Sequence, residues 1–213
     1  MLGGLGADEL ARIAEDAQER SHAKGSVILL ADDPGDSLFI VRSGRVKVVL
    51  VGDDGREVIL GMLGVGEYFG ELSLIDSRPR SAHVIAVEDS QLIVLRRDDF
   101  RRRVEASPLV AWALLQELSR RLRRADDQIG GLALLDVDGR IARLLLNAAA
   151  ESGGVAFQRR LTHQTIAQMI GASRETVSRA MRQFQDRGLI RVERRQIGLV
   201  DRPALEALAR VKA

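Results

Sequence analysis

Gly70-Glu71-Leu72-Ser73-Leu74-Ile75-Asp76-Ser77-Arg78-Pro79-Arg80-Ser81-Ala82 places a carboxylate, a guanidinium and a hydroxyl behind a glycine that lets a ligand approach the backbone. An arginine fork with nearby hydroxyl and backbone N–H donors suits a phosphate diester. Glu71 cannot bind phosphate, because like charges repel, but it can accept from a sugar hydroxyl. The combination therefore points to a ribose-phosphate rather than a bare anion. Taken alone, Glu71 and Arg80 read first as a salt bridge beside a turn; the whole spaced string favours a ligand site. On this reading the segment is a loop held between strands, and Arg80 is dispensable for folding.

Outward from that stretch, short apolar runs are broken by turn residues from Gly25 to Arg96. The runs are Val27–Leu30, Leu38–Val41, Val46–Val51, Val58–Leu63, Val84–Val87 and Leu92–Leu95. Such spacing predicts an antiparallel barrel or jelly roll. Asp54-Gly55 between two of the runs predicts a hairpin. Pro108 then opens a helix, with Ser107 as its expected N-cap. Along that helix Leu115, Leu118, Leu122, Ala125, Ile129 and Leu132 recur at +3 and +4, flanked by Arg120, Arg121, Arg123 and Arg124. A seam this narrow favours a parallel homodimer over packing on its own domain, for which a wider stripe is usual. Asp136-Val137-Asp138-Gly139-Arg140 interrupts the helical run and reads as a hinge. Ile141–Ala150 is helical again, and Ser152-Gly153-Gly154 is a loop.

The charge is divided unevenly. Residues 1–135 carry 18 Lys+Arg against 22 Asp+Glu, a net of −4; residues 136–213 carry 14 against 8, a net of +6. A basic segment joined to an acidic one fits a nucleic-acid-binding domain, or equally a solvated helical surface. The absence of cysteine excludes disulfides, thiolate catalysis and cysteine-ligated metals. No 18-residue apolar run and no signal peptide are visible, which predicts a cytoplasmic protein without a membrane partner.

The basic segment contains Thr162-His163-Gln164-Thr165-Ile166-Ala167-Gln168-Met169-Ile170-Gly171-Ala172-Ser173-Arg174-Glu175-Thr176-Val177-Ser178-Arg179. This fits a helix-turn-helix at each position. Thr162 caps the first helix, and Ile166, Ala167 and Ile170 face inward. Gly171 takes the left-handed turn, Ser173 caps the second helix and Val177 anchors it. The second helix then presents Arg174, Glu175, Ser178 and Arg179. Arginine pairs bidentately with guanine and glutamate accepts from cytosine N4, so this face is equipped to read double-stranded DNA. Gly188–Val192 and Ile197–Val200 form a hairpin, or wing, with Arg194 and Arg195 at its tip.

Both strings resemble the cyclic-AMP receptor protein (CRP/FNR) family of transcription regulators, and the resemblance runs from about Leu10 to about Val200. It implies an α+β chain in three parts: a cyclic-nucleotide-binding β jelly roll over 1–106, a dimerisation helix over 107–135, and a winged helix-turn-helix over 136–213. By resemblance Glu71 binds the ribose 2′-hydroxyl. Arg80 and Ser81 bind the cyclic phosphate, with backbone help from Gly70 and Leu72. Arg174 and Arg179 contact guanines of TGTGA-type half-sites, Glu175 a cytosine, and Ser173 and Thr176 phosphates. The implied effector is cAMP or a related cyclic nucleotide, with no metal, and RNA polymerase is the implied protein partner.

One departure concerns the base. Where the cyclic-AMP receptor has Thr-Ser on the long helix, this chain has Ala125-Asp126. Asp126 either accepts from an adenine amino group or a guanine edge, or balances Arg123 or Arg124. That departure keeps open a regulator that is ligand-independent or responds to cyclic di-GMP. No nucleophile–base pair or metal-ligand cluster is visible, which argues against an enzyme. His22, His83 and His163 are scattered and read as structural or solvated, which disfavours a haem sensor.

Overall fold

A computed structural model describes residues 18–151, 156–157, 161–193 and 196–210. Ser152–Gly154, Arg194 and Arg195 lie outside the described residues. The chain divides into two compact units, Met1–Leu122 and Arg123–Ala213.

The first unit holds two four-stranded sheets. Strands β1 (Gln18–His22), β8 (Ser90–Arg96), β3 (Ser37–Ser43) and β6 (Tyr68–Phe69) form one, in that order. Strands β2 (Val27–Leu29), β7 (His83–Ala86), β4 (Val46–Val51) and β5 (Glu57–Leu63) form the other. All the pairings are antiparallel. Inward residues of both sheets, among them Phe39, Val41, Val46, Phe69, Val84 and Leu92, make one core. Phe39 and Phe69 stack with ring centroids 5.2 Å apart. The hairpin expected at Asp54-Gly55 joins β4 to β5, with Gly55 at φ 76°.

Strand β3 is buried on both faces, which explains its unbroken apolar run. Its other face, through Leu38 and Ile40, packs with Tyr68, Leu74, Leu95 and Val110. Two helices cover that face: α2 (Arg97–Ala106), which the strand pattern did not signal, and α3 (Pro108–Leu134). The stretch read as a loop is instead helical over α1 (Glu71–Asp76), opened by Gly70 in the left-handed region at φ 84°. Leu74 of α1 turns into the apolar cluster, so the helix is anchored by burial rather than by a side-chain cap.

In the second unit the break in the helical run is narrower than expected. Only Leu135 and Asp136 are non-helical, and α4 (Val137–Glu151) already includes Val137–Arg140. Asp136 explains the difference: its Oδ1 accepts from the Gly139 N–H at 2.8 Å, so the acidic residue caps a new helix instead of prolonging a hinge. Helices α5 (His163–Ile170) and α6 (Arg174–Asp186) follow, then α7 (Arg202–Ala209). A small antiparallel sheet runs in the order β10 (Ile190–Glu193), β11 (Gln196–Leu199), β9 (Ala156–Phe157). Ile141, Leu145, Ile166, Val177, Met181, Phe184 and Leu205 fill the core of this unit. Among the described residues, no helix is long and apolar enough to cross a membrane.

Candidate functional site

The cassette is built around a buried arginine. Arg80 is only 5% exposed; its Nη1 donates to the Gly70 carbonyl at 2.7 Å and its Nη2 to the Ser37 carbonyl at 2.8 Å. Main-chain bonds fix its backbone: Arg80 N–H to Asp33 O, and Asp32 N–H to Arg80 O, both at 2.9 Å. Two glycines make room for the guanidinium. A Cβ on Gly70 would lie 2.6 Å from Arg80 Nη1, and one on Gly35 would lie 2.9 Å from Arg80 Cζ. Burial pushes the Arg80 pKa down, while Asp36 and Glu71 oppose the shift.

Glu71 does not pair with Arg80, as the salt-bridge reading required. Its Oε1 accepts from Arg121 Nη1 at 2.9 Å, and its buried Oε2 has no hydrogen-bond partner among the described residues. Arg121, on α3, is held in turn by three other groups. It donates to the Tyr68 carbonyl at 2.5 Å and to Glu117 Oε1 at 3.2 Å, and it stands 4.6 Å above the Tyr68 ring. Burial pushes the Glu71 carboxyl above the usual carboxylate range, and the Arg121 charge pulls it back. Arg97 also binds carbonyls of α1. Its guanidinium donates to the carbonyls of Gly35 (2.6 Å), Ser73 (3.0 Å) and Leu74 (3.3 Å). Ser81 and Leu72 are exposed. Ala125 and Asp126 belong to the second unit, Ala125 half-buried and Asp126 exposed.

The helix-turn-helix has the caps its sequence predicts. Thr162 Oγ1 accepts from Thr165 N–H at 3.0 Å, Gly171 sits at φ 63°, and Ser173 Oγ accepts from Thr176 N–H at 3.1 Å. Val177 and Ile166 are fully buried, which locks the pair of helices. Arg174, Glu175, Ser178 and Arg179 share one face with Arg182 and Gln183, around a shallow groove. Hydrogen bonds from its own backbone N–H and from the Ser173 hydroxyl hold the Glu175 carboxyl below its usual range. Glu175 is exposed, and an ionised carboxylate is an acceptor only. His163, read as structural or solvated, is exposed but not idle: its Nδ1 lies 2.9 Å from Ser178 Oγ.

Along α3, Leu115, Leu122 and Ile129 stand 55%, 63% and 64% exposed at seven-residue intervals. Leu132 is exposed as well, and Leu118 and Ala125 are half-buried. Trp112, three residues before Leu115 and equally exposed, extends the stripe. Among the described residues, no group of three or more His, Cys, Asp or Glu is placed to hold a metal.

Residues 19–107 match the cyclic nucleotide-binding domain family, and residues 139–208 match the Crp-like helix-turn-helix domain. The CRP-like cAMP-activated global transcriptional regulator of Mycobacterium tuberculosis is 34% identical, over 97% of this chain and 95% of its own length. This chain belongs to the CRP/FNR family of transcription regulators. The cyclic AMP receptor protein of Thermus thermophilus is 36% identical over 98% of this CRP/FNR chain and 96% of its own length. Among solved structures, the c-di-GMP responsive global regulator CLP of Xanthomonas campestris superposes with a TM-score of 0.80. It has 27% identity and covers 91% of this chain and 99% of its own.

Sequence reasoning passed over two arginines that shape the CRP/FNR cassette. Arg121 is one of four arginines along one stretch of α3, and its side chain is only 24% exposed where that of Arg120 is 50% exposed. Nothing local in the sequence separates it from its neighbours; its role comes from Tyr68 and Glu71, about 50 positions earlier. Arg97 was not singled out: it lies just past the last apolar run, Leu92–Leu95, and nothing in its local sequence identifies its carbonyl partners.

Proposed function

We propose that this CRP/FNR chain is a homodimeric regulator that reads TGTGA-like palindromic half-sites in double-stranded DNA under the control of a cyclic nucleotide, cAMP. The observation that carries the effector assignment is Glu71 Oε2, a buried carboxylate oxygen without a partner beside the Arg80 cassette. A buried polar atom left unpaired costs free energy, and a ribose hydroxyl would satisfy it. Arg80 uses two of its five N–H donors on Gly70 and Ser37, so the others are available to a cyclic phosphate, with Ser81 and the Leu72 backbone beside it. The relatives named as a cAMP-activated regulator and as a cyclic AMP receptor protein support the same nucleotide.

Glu71 is shared. Arg121 of α3 holds its Oε1; a nucleotide engaging the same carboxylate would change what α3 is tied to. Ligand and helix are thereby coupled through one side chain, as allostery requires. In the second unit Arg174 and Arg179 would pair with guanines and Glu175 with a cytosine, while Thr162, Ser173 and Thr176 engage phosphates. The two α6 helices of a dimer must then present themselves about 34–36 Å apart. RNA polymerase is the expected protein partner.

Fluorescence anisotropy of a labelled TGTGA palindrome, at fixed salt with and without cAMP, tests this reading. Tighter binding with cAMP is expected. Equal, sequence-specific binding in both conditions would remove cAMP as effector. The exposed Asp126, which can accept from a guanine N1/N2 edge, makes cyclic di-GMP the second nucleotide to titrate. Arg174→Ala should cost about 1–3 kcal/mol at one guanine and relax specificity there. A uniform loss across all duplexes would instead mark Arg174 as a phosphate contact.

A further inference from the structure

Glu117 is an acidic residue that the fold buries: it is 2% exposed, as Glu71 is, although it lies on α3 beside arginines that reach solvent. Its two oxygens go to two arginines further along the helix. Oε2 accepts from Arg120 Nε at 3.0 Å and Oε1 from Arg121 Nε at 3.2 Å, at spacings of three and four residues. Arg121 directs its other two nitrogens away from its own helix, Nη1 to Glu71 Oε1 at 2.9 Å and Nη2 to the Tyr68 carbonyl at 2.5 Å. A guanidinium is planar, so fixing Nε and Nη2 also fixes where Nη1 points. Glu117 and the Tyr68 carbonyl therefore aim Nη1 at Glu71 Oε1. That bond in turn sets the direction of Glu71 Oε2, the oxygen without a partner among the described residues. Arg120 supplies a second cation to Glu117, so Glu117 engages only Nε of Arg121 and leaves its Nη1 on Glu71.

We propose that Glu117 is a positioning residue for nucleotide recognition: through Arg121 it holds the Glu71 carboxylate in the orientation that accepts from a ribose 2′-hydroxyl. The inference rests on Glu71 being the ribose acceptor. Burial pushes Glu71 toward its neutral form, and the Arg121 charge opposes that. An Arg121 that loses its aim would thus weaken Glu71 twice, in direction and in charge, and a hydrogen bond to a charged acceptor is the stronger kind. The phosphate end is held separately. Arg80 is fixed by the Gly70 and Ser37 carbonyls, bonds in which neither Glu117 nor Arg121 takes part. Glu117 therefore controls preference for the 2′-hydroxyl rather than affinity for the phosphate.

The full-length protein would be titrated calorimetrically with cAMP and with 2′-deoxy-cAMP, which lacks only that hydroxyl. Wild type should prefer cAMP by about ten- to hundredfold, the range of a hydrogen bond to a charged group. Glu117→Ala should cut the preference to about threefold or less by weakening cAMP alone, with 2′-deoxy-cAMP bound as in wild type. Alanine suits a helix interior and Arg121 keeps Glu71 and the Tyr68 carbonyl, so this variant should fold. Glu117→Gln retains an acceptor for Arg121 Nε and should restore most of the preference. Arg120→Ala, which leaves the Glu117–Arg121 contact in place, should match wild type. The proposal would be overturned by wild-type preference in a folded Glu117→Ala protein, or by an equal loss of both nucleotides. A Glu117→Gln protein no more selective than Glu117→Ala, or an Arg120→Ala protein as unselective, would overturn it as well. Wild type that binds the two nucleotides alike, or neither, would instead remove Glu71 as the ribose acceptor and the proposal with it.

Discussion

Arg80→Leu should lose nucleotide binding and should also lower the melting temperature. The first effect follows from removing the guanidinium fork proposed to grip the cyclic phosphate. The second follows from what the fork holds within the protein, the Gly70 and Ser37 carbonyls at 2.7 and 2.8 Å. Each carbonyl stranded without a donor costs about 1–3 kcal/mol, so the variant should melt several degrees lower. Arg80→Lys distinguishes the two roles. An ammonium keeps the charge and can reach one carbonyl, but it cannot grip two carbonyls and a phosphate together. It should recover part of the stability while nucleotide affinity stays at least tenfold down. Calorimetric titration with cAMP, beside thermal melts of the three proteins, reads both quantities. Wild-type affinity in a folded Arg80→Leu protein would remove the phosphate assignment.

That double role could not be seen in the sequence, where Arg80 looked like an outward ligand with no structural duty. Spacing placed Arg80, Gly70 and Glu71 in one segment. It could not show that Gly35, 45 positions earlier, lies against the same guanidinium, nor that Arg121 takes the place expected of Arg80 beside Glu71. Those are long-range packing facts, and strand periodicity carries no record of them. The helix-turn-helix was legible residue by residue, because caps, a left-handed glycine and an inward valine are all local devices. Helix α1 was missed for the opposite reason: it is six residues long, lacks a side-chain cap and is held by Leu74 in a distant apolar cluster. The hinge was placed too far along because Gly139 reads as a breaker, while Asp136 accepts its N–H and turns the same five-residue stretch into a helix start.

Leu122→Glu should leave the proposed homodimer a folded monomer and weaken binding to the palindrome by about 10²-fold or more. The side chain is 63% exposed in the single chain, so the substitution takes little from the protomer's own core. Stability of the protomer should therefore move by no more than about 0.5 kcal/mol. In a parallel pair of α3 helices, Leu115, Leu122 and Ile129 would recur at one heptad position and meet their own copies. Each leucine or isoleucine buried there contributes about 1.5–3 kcal/mol, and two glutamates facing each other would replace attraction with repulsion. The loss in DNA binding is larger than any contact at α3 would suggest, because it is the loss of bivalency: two linked half-site readers gain about 10²–10⁴ over one. Sedimentation and anisotropy on the same sample separate the alternatives. A monomer that still holds the palindrome as tightly as wild type would show that one α6 helix suffices. A dimer that survives Leu122→Glu would move the interface away from the α3 seam.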